Sequence, residues 1–136
     1  MKRVFVDSGG FFANLVPEDA SHQPAARLFR EAQDAGWNLV TTNAVVFETH
    51  ALLVNRVRDG RTVALRFLES VEAGLCRVER VTREDEASAL RLLRSHRDKD
   101  FSFCDALSFV VTERLGIQEA IAFDRDFGTY GSFTIL

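Results

Sequence analysis

Long apolar runs are lacking in this 136-residue sequence. No segment approaches the ~20 consecutive apolar residues that a membrane-spanning helix needs. The start of the chain, Met1 to Arg3, leads into an apolar run that is too short for the core of a signal peptide. We therefore expect a cytoplasmic protein with a single domain over residues 1–136, which is long enough to bury a hydrophobic core.

Cysteine and histidine are scarce, which argues against zinc and nucleophilic chemistry. The two cysteines, Cys76 and Cys104, form no C-x-x-C pair, so we expect buried free thiols. The three histidines, His22, His50 and His96, have no ligand spacing. The sequence also lacks a G-x-S-x-G nucleophile elbow and a GxxxxGK[ST] phosphate loop, which disfavours a Ser-His-Asp triad and nucleotide-driven chemistry.

Lysine is nearly absent, whereas arginine is abundant. Only Lys2 and Lys99 are lysines among the 17 basic residues, and the net charge is −3. The arginine guanidinium binds phosphate through two hydrogen bonds, so the acidic balance does not exclude a nucleic-acid partner. A codon bias of the genome explains the arginine excess equally well.

Apolar segments and helical periodicities alternate along the chain in the order β-α-α-β-α-α-β-α-α-β. This order predicts an α/β fold with a mostly parallel sheet between layers of helices. The charged residues that alternate in the third strand suggest a position at the sheet edge. The predicted strands are 3–7, 37–41, 75–81 and 119–123, with a short final strand at 133–136.

Four acidic residues stand at the ends of these apolar elements. Asp7 and Asp124 follow strands, and the carboxyl ends of parallel strands form the functional crevice of open α/β sheets. Glu48 and Asp105 lie near the starts of two helices. Three of these acids also have an ordinary structural explanation: Asp7 suits a helix N-cap, Glu48 a solvated helix face, and Asp105 a capping box with Ser102.

Several carboxylates in one pocket repel one another. Two such charges ~5 Å apart cost roughly 3 kcal/mol at an effective dielectric constant near 20. Either some of the acids are protonated, or divalent cations lie between them. Oxygen ligands alone favour Mg²⁺ or Mn²⁺, and such a site suits phosphodiester hydrolysis. The hydroxyl of Ser8 is a candidate for positioning the metal or a phosphate, although a simple turn hydroxyl is the alternative.

Four segments together resemble PIN-domain ribonucleases, specifically the VapC-like toxins of bacterial toxin–antitoxin pairs. These segments are V-F-V-D-S, T-T-N-A-V-V-F-E-T, D-K-D-F-S-F-C-D-A-L-S-F and I-A-F-D-R-D-F. The resemblance implies a three-layer α/β/α sandwich and an endoribonuclease that depends on Mg²⁺ or Mn²⁺. It also implies a homodimer and inhibition by a cognate antitoxin. The acids that the resemblance assigns to the metal site are Asp7, Glu48, Asp105 and Asp124, with Asp126 as a further candidate.

Two other functions are compatible with parts of this pattern. A PIN-like module could bind RNA or a protein partner without cleaving it, although the full set of four acids argues against this. A receiver-type phosphoacceptor domain also has an acidic pocket, but it needs a lysine from a late strand. Lys2 is N-terminal and Lys99 precedes a helix, so the sequence disfavours this alternative.

Overall fold

The computed structural model describes residues 1–130 and 133–136. The described part of the chain contains a five-stranded parallel sheet in the order β3-β2-β1-β4-β5. The strands are β1 (Arg3–Val6), β2 (Asn38–Thr42), β3 (Arg77–Glu79), β4 (Glu119–Ile121) and β5 (Thr134–Ile135). The helices are α1 (Ser8–Leu15), α2 (His22–Ala35), α3 (Asn43–Arg56), α4 (Gly60–Glu72), α5 (Arg83–Ser95), α6 (Phe103–Leu115) and α7 (Arg125–Tyr130).

The central strand β1 is covered on both faces. Val4, Phe5 and Val6 are all fully buried, and successive side chains of a strand point to opposite faces of the sheet. Helices must therefore pack on both sides, as is usual for parallel sheets. The predicted α/β class with a parallel central sheet is confirmed.

The predicted elements are correct in kind, and they differ from the structure at their boundaries. Strand β3 spans three residues at the sheet edge, where the alternating pattern placed it. Helix α1 begins at Ser8, directly after Asp7. Helix α7 was not predicted, because six residues are too few to display a helical periodicity. Among the described helices, none has the length and hydropathy needed to span a bilayer.

Helix α1 lies unusually close to β4 at Gly10. A Cβ atom at this position would lie 2.7 Å from the carbonyl oxygen of Ile121 and 3.2 Å from Cγ1 of Val6. No side chain larger than hydrogen fits at that distance without displacing the backbone. Gly10 therefore permits the packing that holds the start of α1 against the end of β4.

An ion-pair network connects helices α5 and α6 to strand β3 at the sheet edge. The guanidinium of Arg114 on α6 donates to both carboxylate oxygens of Asp85 on α5, at 3.0 and 2.8 Å, and to Glu79 of β3 at 3.0 Å. Asp85 also forms a capping box with Thr82. Burial alone would raise the pKa of Asp85, but its bonds to Arg114 and Thr82 lower it overall. This network fixes α5 and α6 relative to each other.

Candidate active site

Asp7 lies at the carboxyl end of β1 and is only 2% exposed. It is the N-cap residue of α1, yet its side chain makes no capping hydrogen bond, and its Oδ1 has no partner among the described residues. Burial raises the pKa of Asp7 to about 8. The backbone N–H of Ser8 opposes this shift, and the charges of Asp105, Glu48 and Asp124 add to it. Asp7 therefore occupies the N-cap position of α1, as predicted, but its carboxylate does not cap the helix.

Asp105 is the third residue of α6 and is 7% exposed. Its Oδ2 accepts from the backbone N–H of Ser102 at 3.0 Å, and the Ser102 hydroxyl accepts from the Asp105 N–H at the same distance, which completes the predicted capping box. Burial nevertheless raises the pKa of Asp105 to about 6, with contributions from the charges of Asp124 and Glu48. The same carboxylate thus caps the helix and faces other acids.

Glu48 lies half-buried on α3, and the first residue of α1 holds its side chain. The hydroxyl of Ser8 donates to Oε1 of Glu48 at 2.5 Å. Cys104 lies beside them: burial raises the pKa of its thiol, and the charges of Glu48 and Asp7 raise it further. Glu48 is therefore not a freely solvated helical residue. Both cysteines are free, as predicted, but they are only partly buried.

Asp124 and Asp126 follow β4 and complete the acidic group. Asp124 is exposed, and its Oδ1 accepts from the backbone N–H of Asp126 at 3.0 Å. One carboxylate oxygen each from Asp105, Asp124 and Asp126 lies within 4.8 Å of the other two. Partial burial raises the pKa of Asp126, as do the charges of Asp124 and Asp100.

The structure thus brings all five predicted acids to the carboxyl edge of the sheet. Asp105, Asp124 and Asp126 form the compact group, and Asp7 and Glu48 are linked to it through their mutual electrostatic effects. The donor set consists of carboxylate oxygens, which hard divalent cations prefer. The unpartnered Oδ1 of buried Asp7 provides a further ligand atom. These residues fit a magnesium or manganese ion.

Two features of the site were not predicted from the sequence. The Ser8 hydroxyl binds Glu48, 40 residues away, and nothing in the local pattern of either residue indicates that pairing. Asp100 lies close enough to Asp126 to raise the pKa of its carboxyl group. The short D-K-D run before α6 was the available signal for Asp100, but exposed acids are common in such loops.

Comparison with known proteins defines the class to which this fold and site belong. The model of the PIN domain matches residues 4–131, and the chain belongs to the PIN-domain family. Among its relatives is the 23S rRNA-specific endonuclease VapC20 of Mycobacterium tuberculosis, 36% identical over 94% of each chain. A VapC ribonuclease of Archaeoglobus fulgidus is 31% identical over 90% of this chain and 77% of that one.

Solved structures agree with this assignment. The crystal structure of M. tuberculosis VapC20, described as a sarcin-ricin loop cleaving toxin, superposes with a TM-score of 0.87 at 36% identity and covers 96% of both chains. FitAcB from Neisseria gonorrhoeae has a TM-score of 0.65 at 11% identity, over 98% of this chain and 96% of that one, and shows a shared fold. The resemblance to VapC-like PIN-domain ribonucleases that the sequence indicated is therefore confirmed.

Proposed function

We propose that this chain is a metal-dependent endoribonuclease and the toxin of a toxin–antitoxin pair. The observation that supports this most directly is the three-carboxylate group within 4.8 Å beside buried Asp7, in a member of the PIN-domain family. Carboxylates at this spacing repel one another strongly unless protons or cations separate them. A second function as a non-cleaving RNA-binding or partner-binding module makes no use of this set of acids.

The proposed ligands of the metal are Asp7, Glu48, Asp105 and Asp124, with Asp126 as a fifth. Mg²⁺ or Mn²⁺ suits this donor set because it contains oxygen atoms only. A bound divalent cation would neutralise the acids, promote deprotonation of water and stabilise negative charge on the phosphate. The raised pKa values of Asp7 and Asp105 are consistent with acids whose charges require compensation.

The remaining residues of the site keep the acids in position. The hydroxyl of Ser8 donates a hydrogen bond to Oε1 of Glu48 and so limits rotation of that carboxylate. Ser102 restrains Asp105 through the two bonds of the capping box. The burial of Asp7 excludes bulk water from the deepest part of the site. Such restraint reduces the reorganisation needed to reach the transition state.

The proposed partners follow from the relatives. VapC20 is a 23S rRNA-specific endonuclease, so a sarcin-ricin loop hairpin is the first RNA to test as a substrate of this chain. We propose that a cognate antitoxin protein covers the acidic site. We also propose a homodimer.

Replacing Asp7 or Asp105 by asparagine tests the mechanism. We expect either variant to fold but to lose Mg²⁺-dependent cleavage of the hairpin, because each loses a negatively charged ligand at the same volume. Glu69→Gln, on the exposed surface of α4, is the matched control and keeps its activity. The assay is gel analysis of cleavage products with and without EDTA.

Unchanged cleavage by the Asp7 or Asp105 variant, or by the wild-type protein in EDTA, would contradict this mechanism. If the wild-type protein binds the hairpin but leaves it intact with both Mg²⁺ and Mn²⁺, the non-cleaving module is the correct alternative. Total cellular RNA, digested and mapped for cleavage ends, extends the test beyond the hairpin.

A further inference from the structure

The exposed aromatic residues of this protein are concentrated beside the acidic site. The sequence contains 12 phenylalanines, one tryptophan and one tyrosine, and all 14 lie within the described residues. Of these, only Phe47 and Phe103 are exposed, at 62% and 44%. Phe47 immediately precedes Glu48, and Phe103 lies two residues before Asp105. Both exposed aromatic residues are thus close neighbours in the chain of proposed metal ligands.

Both aromatic residues lie near the N-termini of their helices, at the same edge of the sheet as the acids. Phe47 is in the second turn of α3, which begins directly after β2, and Phe103 is the first residue of α6. The Cα–Cβ bonds of a helix tilt toward its N-terminus, and long side chains follow that direction. The N-termini of both helices lie at the carboxyl edge of the sheet, where the acids gather. The Cα–Cβ bonds of both residues are therefore tilted along their helices toward the edge of the sheet that carries the acids.

Neither ring belongs to the hydrophobic core of the described residues. The clusters of buried side chains, and the partly buried ones packed on them, include neighbouring residues such as Val46 and Cys104 but not Phe47 or Phe103. Ala44, near the start of α3, packs against a cluster formed by Ala89, Ala106 and Leu107, and α3 contacts α6. The rings are thus free to contact a molecule that enters the site.

Exposed basic side chains flank the acids in the chain. Arg97 and Lys99 are exposed and precede Asp100, whose charge acts on Asp126, and Arg125 is exposed between Asp124 and Asp126. Cations and aromatic rings together are the usual means of binding single-stranded nucleic acid: the cations track the backbone and the rings stack on bases. A protein partner would use the rings equally well, but the exposed cations favour a partner with a phosphate backbone.

We propose that Phe47 and Phe103 are base-stacking residues that hold unpaired nucleotides on either side of the phosphate to be cleaved. This inference rests on the proposed RNA substrate and specifies its class. Bases can stack on protein rings only when they have left their own helix, as in RNA loops and single strands. The substrate is therefore an RNA loop or single strand. A continuous duplex is not a substrate, because its paired bases cannot stack on the two rings.

Direct binding tests the inference separately from cleavage. The probe is the sarcin-ricin loop hairpin with 2-aminopurine in the loop, whose fluorescence falls when the base stacks. The protein is the full chain carrying Asp7→Asn, so that the RNA stays intact. Adding Phe47→Ala or Phe103→Ala should weaken binding by about 5-fold to more than 100-fold, the range found for the loss of one stacked base, and should diminish the quenching.

Conservative variants distinguish stacking from simple apolar contact. Phe47→Trp and Phe103→Trp should bind within a few-fold of the parent, whereas the leucine variants should bind as weakly as the alanine variants. Leu65→Ala is the matched control, because Leu65 is 57% exposed on α4 and lies away from the acids in sequence. A fully paired duplex of the same length should bind weakly to all of these proteins.

Three results would overturn the inference: alanine variants that bind within two-fold of the parent, leucine variants that bind as well as phenylalanine, or unchanged RNA affinity with a changed oligomeric state by light scattering. The last result would assign the rings to a protein interface. If RNA affinity depends on the rings but the wild-type protein cleaves no RNA, the proposed nuclease function fails and the stacking inference stands. If the wild-type protein cleaves RNA and the alanine variants cleave it equally well, the stacking inference fails and the proposed nuclease function stands.

Discussion

Asp7 is the residue with the largest conflict between charge and environment. It is 2% exposed, its Oδ1 lacks a partner among the described residues, and the pKa of its carboxyl group is raised from 3.8 to about 8. A native carboxyl group with a raised pKa binds a proton that the unfolded chain has already released. Its contribution to stability is complete below pH 3.8 and is lost as the pH rises through about 8.

We expect the metal-free protein to become less stable between pH 4 and pH 8, because Asp7 and Asp105 must ionise in the folded state. The slope should approach about 1.4 kcal/mol per pH unit for each extra proton bound by the native state. Above pH 6, where Asp105 with its pKa of about 6 has ionised, the remaining slope should come mainly from Asp7.

Urea denaturation in EDTA at four pH values between 5 and 8 measures this effect, with Asp7→Asn as the comparison. The variant should show a flatter profile above pH 6 and greater stability than the wild type at pH 8. Asp85, with a lowered pKa, affects stability only at lower pH. Equal slopes for the two proteins would show that Asp7 is ionised throughout this range.

At the scale of elements, the site depends on how closely α1 approaches β4. Asp7 is joined directly to α1, and Asp124 follows β4 by three residues, so the separation of these elements sets the separation of their acids. Gly10 and Gly9 are consecutive, but they face different surroundings. A Cβ at Gly10 would lie 2.7 Å from a backbone oxygen, whereas one at Gly9 would come no closer than 3.8 Å to its nearest neighbour.

Gly10→Ala should therefore destabilise the protein by about 1–3 kcal/mol, the usual cost of overpacking, and should weaken Mg²⁺ binding because α1 moves away from β4. Gly9→Ala is the matched control and should be neutral or stabilising by up to about 1 kcal/mol, since alanine is the better helix former. Denaturation midpoints and metal titration measure both effects. Similar losses in the two variants would show that the contact with Ile121 is not the cause.

At the scale of the whole molecule, the acids are contributed by parts of the chain that only folding brings together. Asp7, Glu48, Asp105 and Asp124 come from β1, α3, α6 and the segment after β4. In the unfolded chain these carboxylates are far apart and form no common site. A cation that binds them together therefore stabilises the folded state by mass action.

We expect Mg²⁺ or Mn²⁺ to raise the free energy of unfolding by about 2.7 kcal/mol at a concentration 100 times the dissociation constant. The measurement is urea denaturation with and without metal at constant ionic strength. Asp105→Asn should abolish most of the increase, and Glu69→Gln should retain it. An increase of the same size in Asp105→Asn would indicate binding outside the acidic group.

The sequence by itself determined the class of fold and predicted the acids of the proposed site. Apolar runs such as 3–6 and 119–121 and the helical spacings between them are local properties, and each acid could be recognised by its place after a strand or near a helix start. The capping boxes at Thr82 and Ser102 were predictable for the same reason, because both of their hydrogen bonds lie within four residues.

Only the tertiary structure decided how these residues meet. It placed Asp126 in the compact group with Asp105 and Asp124, buried Asp7 while leaving Asp124 exposed, and joined Ser8 to Glu48. These relations depend on strand order and on distances between residues that are about 20 to 40 positions apart in the chain. A one-dimensional pattern records which side chains face a core, but the separation of two carboxylates is set by the packing of the elements that carry them.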